Sequence, residues 1–384
     1  MNNYTTEWIL VRVDFNISYN LYRLFTIIPT LQFFITNGVK LIIIAHHEPA
    51  SESIAPFAEL LNKFKIPATF AKDISEVHTL QKKENPPQVI LLENLRMFSE
   101  EKKPESPTAH KWAQSLKDLA YAYVFEAPGV MHRSHTSLTI LPQLFTPENR
   151  IIGPRVAHEL AVLDNLKNKK PLIALLGGNK INEKLQYAHD MLPSLSHLIL
   201  APGLSCAVAQ YLGKPHGAFT VDAKSLEIAQ KLVYNAEAHN VTLVIPSDYL
   251  VSSEWPLTEN SIIRTVRDTE ILPTEYPIAL GSTSIAHTIS LMAHARSVIV
   301  NGGFGVDEIP DPHTMDLKNM AQRIAAHSGK VTIAGGSTVS AYLKYINRKT
   351  RVELLTAGGA ALAYLAHHSL PVISICTEKN SSQN

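Results

Sequence analysis

"PLIALLGGNKINEKL", residues 171–185, runs an apolar stretch into two glycines and then into a polar helical start. The stretch "PLIALL" is continuously apolar, as a strand buried on both faces must be. Gly177 and Gly178 close it, and Lys180 and Lys184 follow four residues apart. On one helical face two such ammonium groups would repel by a few tenths of a kcal/mol, roughly. A bound anion above the turn would explain why both are there.

The same strand signature recurs along the chain in "WILVRV", "VKLIII", "QVILL", "HLILA", "VTLVI", "SVIV" and "KVTIA". Four or so strands are expected before residue 150 and about five after it. Helical patterns such as "TAHKWAQSLKDLAYA" and "DAKSLEIAQKLVYNAEAHN" lie between them. Continuous strands alternating with helices give the α/β class, with parallel sheets covered by helices. A chain of 384 residues exceeds what one core usually supports, so two domains are expected. "GPRVAHELAVLDNLKNKK", 153–170, reads as one long helix between the two strand sets.

Glycine-rich turns follow several strands of the second half: "LLGGNK", "LAPGLS", "IVNGGFG" and "TIAGGST", with Gly358 and Gly359 in "LLTAGGAA". In an open parallel sheet the loops at the carboxyl ends of the strands form the ligand crevice. Glycines there admit a phosphate close to backbone N–H groups, and the next helix start adds partial positive charge. None of the turns fits G-x-x-x-x-G-K-[ST], nor G-x-G-x-x-G with an acidic residue about 20 positions on. A P-loop is excluded, and a dinucleotide fingerprint has little support.

Net charge is +1, which argues against a nucleic-acid partner and leaves any basic site as a local cluster. The two cysteines, Cys206 and Cys376, are far apart, so no disulfide framework is expected. The opening "MNNYTTEWILVRVDF" lacks the basic-then-apolar pattern of a secretory leader, and the apolar runs are too short to span a bilayer. A soluble cytoplasmic protein without membrane attachment is the expectation. The 17 histidines show no consistent ligand spacing, so no metal site of their own is expected.

In the first half, "VRVDFN" places Arg12, Asp14 and Asn16 on one face of a strand and Val11, Val13 and Phe15 on the other. Taken alone, that pattern also fits the polar face of an edge strand. Arg23, His46, Arg96 and Arg133 each lie at or just beyond a strand-like run. Guanidinium groups match phosphate and carboxylate, so a small, doubly anionic ligand would suit them together.

These motifs resemble those of the phosphoglycerate kinase family, in order and over nearly the whole chain. "ILVRVDFN" resembles that family's opening strand, "VILLENLRMFSEE" its E-N-L-R-F segment, and "HRSHTS" its H-R-A-H-x-S. "LGGNKINEKL" is similar to L-G-G-A-K-V-x-D-K-I, and "VIVNGGFGVDE" to V-x-W-N-G-P-x-G-V-F-E. "TIAGGSTVSA" and "LLTAGGAALAYL" resemble the two late glycine motifs. The resemblance implies two Rossmann-like domains: 1–152 binding 3-phosphoglycerate and 169–365 binding nucleotide, joined by an interdomain helix at 153–168. A tail at 366–384 would return to the first domain. It also implies a monomer.

Carried over position by position, Asp14 and Asn16 would hold the hydroxyl and carboxyl end of 3-phosphoglycerate. His46, Arg96 and Arg133 would take its phosphate and neighbouring oxygens, and Arg23 matches the catalytic arginine. Lys180 and Lys184 would meet the phosphates of ADP or ATP, with Gly203 near the base, Asn301 at the phosphate chain and Glu308 on the ribose. Gly335, Gly336, Ser337 and Thr338, with Gly358 and Gly359, form the late helix-start loops. The implied reaction is transfer of a phosphoryl group between 1,3-bisphosphoglycerate and ADP, with Mg²⁺ carried on the nucleotide. Arg23 and Lys184 would meet the transferring group when the domains close.

Several positions depart from the family. Ser337 stands where the family has a metal-ligand aspartate, and Asp307 is a nearby carboxylate that could replace it. "AHHEPA" replaces S-H-L-G-R-P, placing Glu48 near the lost arginine. "FEAPGV" replaces N-D-A-F-G, which would put Glu126 and Pro128 on the rim of the substrate domain. "NGG" and "ALGS" replace N-G-P and D-I-G-P. These changes leave a non-catalytic nucleotide-binding or scaffold relative as the alternative.

Overall fold

The computed structural model describes residues 7–16, 21–167, 171–178, 180–305, 315–346 and 351–378. The chain forms two compact units, Met1–Ala161 with Ser369–Asn384, and Val162–His368. The helix Pro154–Lys167 runs through the division. The last helix, Pro371–Thr377, belongs to the first unit and packs on the helix Thr136–Gln143.

The first unit is built on a six-stranded, all-parallel sheet. Its strands are β1 (Trp8–Asp14), β2 (Lys40–His46), β3 (Ala68–Ala71), β4 (Val89–Leu92), β5 (Ala122–Glu126) and β6 (Arg150–Ile152), in the order β3-β4-β2-β1-β5-β6. Ile9, Val11, Val13 and Phe15 share one apolar cluster with Leu24, Ile27 and Leu31 of the helix Tyr22–Thr36. Fully burying each such side chain stabilises the unit by roughly 1.5–3 kcal/mol. Arg12 and Asp14 point to the other face, as the period of two requires.

β1 is not an edge strand. It lies between β2 and β5, and Arg12 is wholly buried. β5 was hidden in the sequence by the helical run before it. That helix stops at Lys117, and "AYVFE" then becomes a central strand paired with β1. Short "ATFA" and "RII" add β3 and β6, so this half holds more strands than its long apolar runs suggest.

The second unit carries β7 (Leu172–Leu176), β8 (Leu195–Leu200), β9 (Thr242–Val244), β10 (Asp248–Ser252), β11 (Ile263–Arg267), β12 (Tyr276–Leu280), β13 (Ser297–Asn301), β14 (Lys330–Ala334) and β15 (Glu353–Leu355). Six of them form a parallel sheet in the order β15-β14-β13-β7-β8-β9. The other three make a small antiparallel sheet, β11-β10-β12, which the apolar runs did not signal. "IRTVR" of β11 is mostly exposed, so it needs only one apolar anchor, Val266. The two parallel sheets with helical covers are the α/β fold expected from the sequence.

Candidate active site

In the first unit the parallel register sets Asp14, at the end of β1, beside His46, at the end of β2. Asp14 Oδ2 accepts from Arg23 Nη1 at 2.7 Å, and its Oδ1 accepts from the Asn16 N–H at 3.0 Å. Burial pushes the Asp14 carboxyl up, but the Arg23 guanidinium and the Asn16 N–H outweigh it and hold the group below its usual range. Asp14 is therefore ionised at neutral pH. Arg23 itself sits at the start of the helix Tyr22–Thr36 and keeps about a fifth of its side chain accessible.

His46 has a different character from the arginines. Only 2% exposed, its ring is held well below the usual histidine range by burial, reinforced by Arg12 against the pull of Asp14. It is neutral at pH 7. Arg12 Nη2 donates to its Nδ1 at 3.3 Å, which leaves the proton on Nε2, 3.6 Å from Asp14 Oδ1. His46 can thus donate one neutral hydrogen bond but brings no charge to an anion.

Arg12 is the residue that position alone did not place. Its Nε donates to Ser137 Oγ at 3.1 Å, and Nη2 lies 3.7 Å from Glu101, which is fully buried. Glu101 in turn accepts from the Ser137 N–H and hydroxyl, at 3.0 and 2.7 Å. The Arg12 guanidinium is thus a structural cation under the site, fixed by groups brought from about 90 and 125 residues away.

Arg96 lies in the one-turn helix Leu95–Met97 after β4, and its Nη1 is bonded to the Glu48 carboxylate. Arg133 is half-buried and close enough to Arg96 to repel it electrostatically. Arg12, Arg23, Arg96 and Arg133 thus form one basic group in this unit, interleaved with the carboxylates of Asp14, Glu48 and Glu101.

Glu126 and Pro128 are both buried, which corrects their expected place on the rim. Glu126 ends β5 and caps the helix Pro154–Lys167, accepting from the Arg155 N–H at 3.1 Å and the Val156 N–H at 3.4 Å. Thr30, on the helix that carries Arg23, donates to the same carboxylate at 2.5 Å. A Cβ at Gly153 would stand 2.0 Å from Glu126 Oε2, so glycine is required beside it.

In the second unit all five glycine turns lie at the carboxyl ends of adjacent parallel strands. Gly177 and Gly178 follow β7, Gly203 follows β8, Gly302 and Gly303 follow β13, Gly335 and Gly336 follow β14, and Gly358 and Gly359 lie just past β15. The turns pack backbone on backbone. A Cβ on Gly302, at φ +103°, would fall 2.1 Å from Gly177 O, and one on Gly335 would meet the Gly358 Cα at 3.2 Å. Asn301 Nδ2 donates to Ala334 O at 2.7 Å, tying two of the strand ends together, and the Gly302 N–H donates to Thr338 Oγ1 at 2.9 Å. Ser337 is exposed in the first turn of the helix Gly336–Leu343, and Gly203 precedes the helix Leu204–Tyr211.

The two lysines are one helical turn apart, the Lys184 N–H donating to Lys180 O at 3.0 Å, but they are differently exposed. Lys180 is the exposed residue just before the helix Ile181–Met191, while Lys184 is inside its first turns. Lys184 Nζ reaches back to Gly177 O and lies 3.4 Å from Asn301 O. Burial, with repulsion from Lys180, lowers its pKa to about 8. Among the described residues no carboxylate lies within ion-pair distance of it; its close polar contacts are backbone carbonyls, and Glu183 acts on it only from farther off. Glu308 and Asp307 lie outside the described residues.

A family model described as phosphoglycerate kinase matches residues 2–368. The chain belongs to the phosphoglycerate kinase family. It is 29% identical over 396 residues to the phosphoglycerate kinase of Chlamydia pneumoniae, covering 97% of this chain and 96% of that protein. Against the phosphoglycerate kinase of Kluyveromyces lactis the identity is 28% over 410 residues, covering 98% and 96%. The structure of phosphoglycerate kinase from Coxiella burnetii superposes with a TM-score of 0.76 at 26% identity, over 98% of this chain and 97% of that one. That from Pyrococcus horikoshii, at 20% identity and a TM-score of 0.78 over 97% and 96%, shares the fold. Phosphotransferase chemistry, small-molecule substrates and adenine nucleotide used with Mg²⁺ are properties of the phosphoglycerate kinase family. No described helix is long and apolar enough to cross a membrane.

Proposed function

We propose that the chain catalyses reversible phosphoryl transfer between 1,3-bisphosphoglycerate and ADP, giving 3-phosphoglycerate and ATP. The observation that carries this reading is Lys184, a half-buried ammonium against the turns after β7 and β13, with no carboxylate within ion-pair distance among the described residues. A half-buried cation of that kind is costly unless an anion completes it. The phosphates of a nucleotide supply that anion, with Lys180 at the helix start as a second, solvent-facing cation.

In this reading the first unit binds 3-phosphoglycerate. Arg96 and Arg133 take the phosphate, Asp14 and Asn16 the hydroxyl and carboxyl end, and His46 donates through Nε2. The second unit binds nucleotide through Lys180, Lys184, Gly203, Asn301, Glu308, Gly335, Gly336, Ser337 and Thr338. Gly358 and Gly359 add an anion-stabilising turn. The helix at 153–168 serves as the connector and the residues from 366 as the returning tail.

The substrate carboxylate itself attacks or leaves, so no nucleophilic side chain is needed. Catalysis then consists of positioning and of stabilising the charge on the transferring group. In this reading Arg23 supplies one cation, its guanidinium fixed by Asp14, and Lys184 supplies the other.

Among the described residues no group of three or more His, Cys, Asp or Glu could hold a metal ion. Mg²⁺ keeps most of its waters and is commonly bound through substrate phosphates, so it would travel with the nucleotide. When bound it neutralises phosphate charge. Ser337, in place of the family's aspartate, would offer it a hydroxyl or a bound water. A cytosolic monomer acting on small molecules, without nucleic-acid or membrane partners, completes the proposal; the near-zero net charge supports the absence of a nucleic-acid partner.

A coupled assay on purified protein with 1,3-bisphosphoglycerate and MgADP tests the reading. Turnover that is abolished by Lys184→Ala supports it; turnover indifferent to that change rules out the proposed role of Lys184.

A further inference from the structure

Within the basic group of the first unit, Arg23 is paired with Asp14, Arg12 with Glu101, and Arg96 with Glu48. Two of those carboxylates are fixed. The side chains of Asp14 and Glu101 are 4% and 0% exposed, and each accepts further hydrogen bonds from the backbone or from Ser137. Glu48 differs, since 41% of its side chain is exposed. It is the only one of the three that solvent, or a dissolved anion, can readily replace.

The pairing of Glu48 with Arg96 is nevertheless built in. Asn94 Oδ1 accepts from the His47 N–H at 3.0 Å and from the Arg96 N–H at 3.1 Å. Its Nδ2 donates to His47 O at 3.2 Å and to Glu52 O at 2.9 Å. One buried amide thus clamps the residues flanking Glu48 to the turn that carries Arg96. His47 Nδ1 adds a bond to Phe15 O at 2.9 Å, anchoring the same loop to the end of β1.

We propose that Glu48 is a resident competitor for the substrate's anionic end, occupying Arg96 until phosphate displaces it. This rests on Arg96 binding that phosphate, as proposed above. The chemistry is an exchange of anions on one guanidinium: a tethered monoanion leaves for solvent and a dianion takes its place. The dianion wins because its charge is greater and a second cation, Arg133, stands close to Arg96. The competitor sets affinity and leaves the transfer step alone, since Arg96 is assigned to the substrate's phosphate and not to the transferring group.

The test measures calorimetric affinity of the full-length chain for inorganic phosphate and for 3-phosphoglycerate, alongside turnover. Glu48→Gln keeps the side chain's size and removes its charge. It should tighten both ligands about tenfold, roughly 1.4 kcal/mol, and lower KM by a similar factor with kcat changed less than about twofold. In an Arg96→Ala background the same substitution should change neither affinity. Unchanged or weaker phosphate binding in Glu48→Gln, confirmed with Glu48→Ala, would overturn the proposal. So would equal tightening with and without Arg96. Tightening of phosphate in a protein that shows no turnover would uphold Glu48 as competitor and refute the kinase reading instead.

Discussion

Replacing Lys184 with methionine separates the electrostatic cost of the nucleotide site from its use. Burial, then Lys180, lowers the Lys184 pKa from 10.5 to about 8. Holding the ammonium at pH 7 therefore costs the second unit about 3 kcal/mol, at 1.36 kcal/mol per pKa unit. A lysine depressed in the folded state contributes its stability above its unfolded pKa and loses it as pH falls through the folded one. The affected window is thus pH 10.5 down to about 8. Between pH 7 and pH 10 the wild type should gain about 2.5 kcal/mol relative to Lys184→Met, whose side chain does not titrate. The lost contact with Gly177 O adds an offset to the difference, and it is the slope with pH that reports the burial. Urea unfolding at several pH values measures it, followed by Trp255 fluorescence after Trp8 and Trp112 are replaced by phenylalanine, so that only the second unit is read. Saturating ADP should flatten the wild-type slope, because the phosphates return the lysine toward its ordinary pKa. A wild-type-minus-variant difference that stays level from pH 7 to pH 10 would refute the reasoning.

Other substitutions test separate parts of the account. Gly302→Ala forces a Cβ to 2.1 Å from Gly177 O at φ +103°, so it should destabilise by about 2 kcal/mol or more and weaken nucleotide binding, read by denaturation and calorimetry. Glu126→Ala leaves the Arg155 and Val156 N–H groups and the Thr30 hydroxyl without their acceptor; a loss of about 2–3 kcal/mol in urea unfolding is expected. Ser337→Asp puts a carboxylate at an exposed helix start, where it should leave stability within about 1 kcal/mol. The same change should raise turnover with Mg²⁺ about tenfold in the coupled assay, and no rise would show that the lost ligand does not limit the rate.

What the sequence made legible follows from which forces are local. The glycine turns could be read because strand, turn and helix lie within about fifteen residues, and the parallel sheet then gathers the turns at one edge. The period of two in "VRVDFN" correctly divided Val11, Val13 and Phe15 from Arg12 and Asp14. It could not tell a solvated face from a buried polar one, because Arg12 is stabilised by Ser137 and Glu101 from distant helices and turns. β5 was lost because a helix of apolar periodicity runs almost into it. The Glu48–Arg96 pair and the cap made by Glu126 join residues far apart in sequence, and no spacing rule announces either. Lys180 and Lys184, four apart, suggested mutual repulsion, which persists across the first turn; what the spacing could not show is that Lys184 folds back onto the Gly177 and Asn301 carbonyls while Lys180 stays exposed.

The most direct measurement is steady-state turnover of 1,3-bisphosphoglycerate with MgADP for the wild type, Arg23→Ala and Lys184→Ala, with folding of each checked by denaturation. The account predicts ATP formation by the wild type and a loss of at least about a hundredfold in kcat for either variant. ATP formation that survives both substitutions unchanged, or a folded wild type that binds ADP yet forms no ATP with Mg²⁺ or Mn²⁺, would contradict it.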